Sequence, residues 1–296
     1  MSNNVSLELI KTLRERTGAG MMECKKALLE TNGDIEAAVE AMRIRGQAVA
    51  AKKAGRTAAE GLIIIKLTSD GRTAAICEIN CETDFTAGNE NFNQFAEKIT
   101  EIVLDHTANT VEALLDLNYD GQATVEEARK SLVAKTGENI QIHRLALLNS
   151  NEKISYYVHN GRIGAVVHTQ NANDVLGKDL AMQIVASNPI VVNPIDVPEA
   201  LIAKEHEIFS EQAKASGKPA NIIEKMIEGR MDKFRNEISL TGQPFVKDPS
   251  VTIKQLLEKA NAKVISFIRF EVGEGIEKSS ENFAEEVMKQ VKANQN

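Results

Sequence analysis

The sequence predicts an α+β fold: a small N-terminal helical bundle, two related core halves built on antiparallel sheets, an inserted helical hairpin and a C-terminal helix. Three observations carry this expectation. Apolar residues recur at helical spacing through residues 5–42. Two pairs of apolar runs are each joined by a tight-turn dipeptide, Asp70-Gly71 and Asn160-Gly161, which marks antiparallel hairpins. Between residues 198 and 237 two charged segments share an apolar seam on either side of Gly217-Lys218-Pro219, the pattern of two helices folded back on one another. Four units are expected: residues 1–56 as bundle and linker, 57–139 as the first core half, 140–275 as the second half with the hairpin at about 198–237 inserted, and 276–296 as a C-terminal helical module.

Each element follows from local chemistry. Val5, Leu7, Leu9, Ile10 and Leu13 predict a first helix, broken by Thr17-Gly18-Ala19-Gly20. A second helix over residues 21–31 ends at Asn32-Gly33. Asp34 caps a third, in which Ile35, Ala38, Val39 and Met42 follow the i, i+3, i+4, i+7 pattern. Basic residues at 43, 45, 52, 53 and 56, set among Ala and Gly, predict a solvated linker. Strands are expected over residues 62–67 and 74–79. A helix follows at residues 89–106 with Phe92, Phe95, Ala96, Ile99, Ile102 and Val103 on one stripe. Thr124 and Glu127 have the spacing of a capping box, and Gly137 closes that helix. Strands at 140–148, 154–159 and 162–169 and a helix at 175–187 repeat the order of strands and helix, which suggests two related halves. A strand over residues 263–272 and a helix over 282–292, carrying Phe283, Val287 and Val291, complete the chain.

Composition narrows the function. With 296 residues, 43% hydrophobic and 26% charged, the chain can build two or three compact cores. A formal charge of −7 argues against a primary nucleic-acid binder, which needs a basic face to neutralise phosphates. The first residues lack the basic region and apolar core of a secretory signal, and no run approaches membrane-spanning length, so a cytoplasmic protein without a membrane partner is expected. Cys24, Cys77 and Cys81 are odd in number and lack a neighbouring ligand set. Buried packing is thus the expectation, with no disulfide, metal or cofactor. Nucleophile elbow, zinc-helix and phosphate-loop motifs are all missing, and the five histidines are dispersed, so no enzyme is expected. Gly18-Ala19-Gly20 joins two helices and does not follow a strand, so it is a turn and not a dinucleotide loop.

One stretch stands apart. In Asn80-Cys81-Glu82-Thr83-Asp84-Phe85 a buried strand runs out into a connection that carries an acid beside an aromatic. In a chain with no Trp and 4% aromatic residues, Phe85 has two readings: a probe for a partner's pocket, or a cap folded back onto its own core. Asp84 likewise is either part of such a contact or a helix-start cap.

Met21-Met22-Glu23-Cys24-Lys25-Lys26 with its preceding Arg14-Glu15-Arg16-Thr17-Gly18-Ala19-Gly20, Thr83-Asp84-Phe85, Gly137-Glu138-Asn139-Ile140, Ser239-Leu240-Thr241-Gly242-Gln243-Pro244-Phe245 and Phe267-Ile268-Arg269-Phe270-Glu271-Val272-Gly273-Glu274-Gly275 occur in one order. Together they closely resemble the bacterial translation elongation factor Ts family, over nearly the whole chain. The resemblance implies a guanine-nucleotide exchange factor for elongation factor Tu, in its GDP-bound and nucleotide-free states, with an N-terminal bundle similar to a ubiquitin-associated domain. It further implies that Thr83, Asp84, Phe85 and Thr86 form the segment that dislocates the partner's magnesium. Thr86 stands where many relatives carry Val. Met21, Met22 and Lys25 are implied to contact the partner's nucleotide domain, with one Met expected inside and one outside; Gly137 is implied beside them and His159 near the partner's other domains. The charged arms of the hairpin predict a projecting antiparallel coiled coil, and whether the chain forms a homodimer through it stays open. The alternative class is a structural or chaperone-like protein that holds a partner with the hairpin and leaves nucleotide release unchanged.

Overall fold

The computed structural model describes residues 5–215 and 219–277. Three helices come first: α1 (Leu7–Thr17), α2 (Met21–Glu30) and α3 (Ile35–Lys53). The first core half follows as β1 (Glu60–Leu67), β2 (Thr73–Cys81), the one-turn α4 (Asp84–Ala87), α5 (Glu90–His106), α6 (Val111–Leu115), α7 (Val125–Thr136) and β3 (Gln141–Asn149). The second half comprises β4 (Ser155–His159), β5 (Ile163–Gln170), α8 (Asp174–Ser187), the hairpin helices α9 (Glu199–Lys214) and α10 (Ala220–Glu237), the short pair β6 (Pro244–Phe245) and β7 (Asp248–Thr252), α11 (Ile253–Ala260) and β8 (Lys263–Glu271). The expected bend at 217–219 and the helix at 282–292 with Phe283, Val287 and Val291 fall wholly or mainly outside the described residues; Pro219 caps the start of α10.

Two three-stranded antiparallel sheets, ordered β1-β2-β3 and β4-β5-β8, lie face to face. Between them Ile63, Ala74 and Ile76 of the first sheet meet Val166 and Phe270 of the second. On its other face β2 turns Ala75, Cys77 and Ile79 toward Phe92, Phe95, Ala96 and Ile99 of α5. The second sheet does the same with Ala165 and Val167 against Leu180, Ala181 and Ile184 of α8 and Leu257 of α11. The order is therefore helices, sheet, sheet, helices. A strand covered on both faces has no solvent side, and this explains why β2 is apolar from Ala74 to Cys81 except at Glu78 and Asn80. Gly164 allows a close approach of the sheets: a Cβ there would sit 2.7 Å from Cγ2 of Ile63.

The buried polar residue Glu78 locks the two sheets together. Its carboxylate, with no exposed surface, accepts from Arg144 Nε at 2.6 Å, Asn80 Nδ2 at 3.0 Å and the backbone N–H of Gly273 at 2.7 Å. Arg144 also donates to the Glu271 carbonyl and to Glu274, and its guanidinium lies 4.2 Å from the centre of the Phe270 ring. A buried carboxylate persists only when its lone pairs are filled this way.

Two expectations change. The strand after residue 140 is expected in the second half, but β3 pairs with β2 and closes the first sheet. Each half is thus a hairpin, a helical crossover and a returning strand that pairs with the hairpin's second strand. The basic stretch at 43–56 is not a solvated linker, because α3 continues to Lys53. Its small residues serve helix packing: a Cβ on Gly46 would touch Ala134 Cβ of α7 at 3.4 Å, and Ala50 is buried in the first-half core. Arg43 pairs with Glu127, and Arg45 with Glu30. Charges that looked like a flexible link instead flank a docked helix. In the hairpin, the rings of Phe209 and Phe234 meet edge to face at 6.3 Å, and Arg230 donates to Gln212 across the seam.

Candidate functional site

The stretch after β2 forms a short, doubly anchored turn. Thr83, in extended backbone, caps α4 by accepting from the Thr86 N–H at 3.3 Å. One turn later Gly88 ends the helix, and Asn89 caps α5 by accepting from Asn91 N at 2.9 Å. Asn93 reaches back from α5 to donate to the Ala87 and Asn89 carbonyls, at 3.2 and 2.8 Å. Thr86 and Ala87 point inward and are buried, so the periodicity of a single turn leaves Asp84 and Phe85 outward.

Phe85 is 87% exposed. Burying a Phe side chain is worth roughly 1.5–3 kcal/mol, which this position forgoes while both ends of the turn are fixed. The reading in which Phe85 caps its own core is excluded. Helix-start capping falls to Thr83, which leaves the carboxylate of Asp84, in the first turn of α4, exposed beside the ring.

The loop behind α7 is bonded to this turn from the other side. Gly137 takes φ +74°, the left-handed region open to glycine at little cost, and ends α7 with its N–H on the Val133 carbonyl. Glu138 then accepts three bonds from the turn, from Glu82 N and Thr83 N at 3.1 Å each and from Thr83 Oγ1 at 2.6 Å. Glu82 answers by accepting from Asn139 N at 2.7 Å, and Asn139 donates its side chain to the Arg56 carbonyl at 2.7 Å. Thr83 and Gly137, 54 positions apart in sequence, thereby belong to one edge of the molecule. Glu82, Glu138 and Asn139 were not singled out as site residues by sequence reasoning. The available signal was an acid directly after a helix-ending glycine, in Gly137-Glu138.

The α1–α2 turn approaches the same edge. Gly18 lies against Lys135, whose Nζ would be 2.9 Å from a Cβ at that position, and Lys135 donates to Asn91 Oδ1 at 2.7 Å. Both methionines at the start of α2 are exposed, Met21 by 40% and Met22 by 76%, and so is Lys25. The expectation of one Met inside is corrected. Cys24, Ala27 and Leu28 supply the inner stripe, and Met21 lies at its open end where little covers it. His159 stands elsewhere, exposed at the end of β4 beside the β4–β5 turn, and its hydrogen bonds go to Tyr157 at 3.2 Å and Asn160 at 3.4 Å within its own hairpin. That hairpin touches β1 through the Gly161 carbonyl, which accepts from Ile63 N at 2.7 Å.

Cysteine chemistry does not enter. Burial pushes the Cys77 and Cys81 thiols up to about 12, so both stay protonated near neutrality. Cys81 Sγ donates to the Thr83 carbonyl at 3.1 Å and serves the turn as a weak brace. Among the described residues no group of three or more His, Cys, Asp or Glu is arranged to hold a metal ion, and no helix is long and apolar enough to cross a membrane.

Comparison with known proteins identifies the family. The family model described as Elongation factor TS matches residues 82–274, from the start of the exposed turn to the end of the Glu78–Arg144 lock. Proteins named Elongation factor Ts from Methylococcus capsulatus and from Legionella pneumophila strain Lens are each 54% identical, over 98% of this chain and 99% of theirs. The one from Thioalkalivibrio sulfidiphilus is also 54% identical, over 97% of this chain and 99% of its own. With well over half of the chain under the family model and relatives this similar from end to end, the chain belongs to the elongation factor Ts family.

Proposed function

We propose that this chain is a guanine-nucleotide exchange factor for elongation factor Tu, a cytoplasmic protein that performs no bond chemistry of its own. The observation that carries the proposal is Phe85, exposed at the tip of a turn tied down at both ends. A rigid, solvated aromatic is suited to enter a partner's pocket, because little ordering entropy remains to oppose binding.

A P-loop GTPase retains its nucleotide through a magnesium ion bridging phosphates and protein oxygens, and through backbone amides around the β-phosphate. In the proposed mechanism Phe85 wedges into the partner's nucleotide domain with Asp84 beside it. Elements near the partner's ion are displaced, and the nucleotide dissociates without chemistry. The magnesium and the nucleotide are the partner's. Thr83 and Thr86 act from behind, as cap and as inward packing. Met21, Met22 and Lys25 provide a second contact on the nucleotide domain, Met through its adaptable side chain and Lys25 as a point charge. Gly137 lies between the two contacts, and His159 is assigned to a peripheral one.

Release of labelled GDP from purified elongation factor Tu tests the proposal. Substoichiometric chain should accelerate release to completion. A protein that merely holds its partner would leave the release rate unchanged, and that result would select the chaperone-like reading. The role of magnesium is tested separately by linkage: if the chain favours a partner state that binds the ion poorly, its apparent affinity must fall as magnesium rises at constant ionic strength.

A further inference from the structure

We propose that Glu138 is a positioning residue for nucleotide exchange, a latch that sets the Phe85 turn against the loop after α7 so that both meet the partner as one rigid edge. This rests on the exchange-factor reading above and adds to it a residue that acts through the turn it holds.

The geometry is specific. A carboxylate can only accept, so the 2.6 Å bond between Glu138 Oε1 and Thr83 Oγ1 fixes the hydroxyl proton on the Glu138 side. The lone pairs of Thr83 Oγ1 are then directed at the Thr86 N–H, which is the cap that starts α4. The other carboxylate oxygen takes the backbone N–H groups of Glu82 and Thr83. One side chain thereby satisfies two backbone donors and orients the cap of the helix that presents Phe85. Its aim is set by Gly137, whose left-handed backbone turns the chain back from α7 toward the end of β2. Glu82 returns the contact to Asn139 N, so neither loop can move away without breaking bonds to a carboxylate on the other. Bonds to an ionised acceptor are the stronger class.

The consequence separates maximal rate from encounter. Loosening the latch leaves Met21, Met22 and Lys25 on the bundle, so the partner still docks, while Phe85 arrives over a wider range of angles. The experiment uses the full-length chain carrying Glu138→Ala or Glu138→Gln. It measures hydrogen exchange at the Glu82, Thr83 and Thr86 amides, thermal unfolding, and the maximal rate and half-saturation of GDP release from elongation factor Tu. In Glu138→Ala the three amides should lose protection and the maximal rate should fall on the order of tenfold, with half-saturation changed by less than about threefold. Glu138→Gln keeps an acceptor for the two backbone amides and should lie within about threefold of the parent rate.

If Glu138→Ala does not fold, Thr83→Val, which removes the oriented hydroxyl, carries the same expectation for Thr86 protection and maximal rate. Unprotected amides with an undiminished maximal rate would overturn the inference. So would amides that stay protected, or rate losses that merely follow the unfolded fraction across the variants. Phe85→Ala measured in parallel separates the two levels. A parent-like rate there removes the wedge reading itself, whereas a slow Phe85→Ala beside a fast, deprotected Glu138→Ala removes only the latch.

Discussion

The two core halves share a plan and differ in what is added to it. Each is a hairpin whose second strand is central, followed by a helix with an Asn cap and a left-handed end, and later by a strand that returns to the centre. Asn89 caps α5 and Asn173 caps α8. In the second half only residues 171–173 separate β5 from the helix, whereas in the first half the connection is longer and holds α4 with Phe85 at its tip. The second half carries its extra chain elsewhere, as the hairpin between α8 and β8. The difference teaches that the scaffold itself needs neither addition. What exceeds the shared plan is where function is to be sought, and among the described residues the first addition combines an exposed aromatic with anchors at both ends.

This comparison can be broken first at the join of the halves. Arg144→Ala should destabilise the folded chain by about 3 kcal/mol, because it leaves the buried Glu78 carboxylate without its charged partner. Urea unfolding checks this, and a loss below about 1 kcal/mol would mean that the lock is replaceable by water. Next comes the tip of the turn. Phe85→Ala should slow GDP release by about thirtyfold, as for an anchor worth roughly 2 kcal/mol, while the unfolding midpoint stays put because the ring is not in the core. Proportionate losses of rate and stability would restore the core-packing view.

The paired caps give a sharper test. Asn89→Ala and Asn173→Ala should each lower stability by about 1 kcal/mol, since each removes one helix cap. Exchange should slow only in Asn89→Ala, whose cap starts the helix from which Asn93 reaches back to the far end of α4. Equal exchange in the two variants would show that α4 does not need its second anchor. The smallest effect is expected at α2: Met22→Ala should change stability by less than about 0.5 kcal/mol, as an exposed side chain does, while raising the half-saturation for exchange. Stopped-flow titration of the partner reads it, and an unchanged half-saturation would remove Met22 from the contact.

Much of the architecture was legible because its causes lie within a few residues of one another. The Thr124 and Glu127 capping box, the Asp34 cap, the α5 stripe and the Asn160-Gly161 turn with both residues at positive φ are all visible in short windows. Phe85 was legible as an oddity, an aromatic on a connection, though not as exposed. The 43–56 stretch misled for a physical reason: small residues among basic ones suit a flexible link and equally a helix packed closely on another. Only the presence of α7 opposite Gly46 decides between them.

By itself, then, the sequence determined the kind and order of the main elements and several of the residues that cap them, though not α4, α6, β6, β7, α11 or the end of α3, since hydrophobic period, caps and turns act over three or four positions. Only the tertiary structure decided that β3 closes the first sheet, that both methionines of α2 face out, that Glu138 reaches Thr83 across 55 positions, and that Glu78 meets Gly273 across 195. The reason is that a hydrogen bond between distant residues depends on where the whole chain returns. That return is set by burial summed over both sheets and leaves no spacing in the sequence to read.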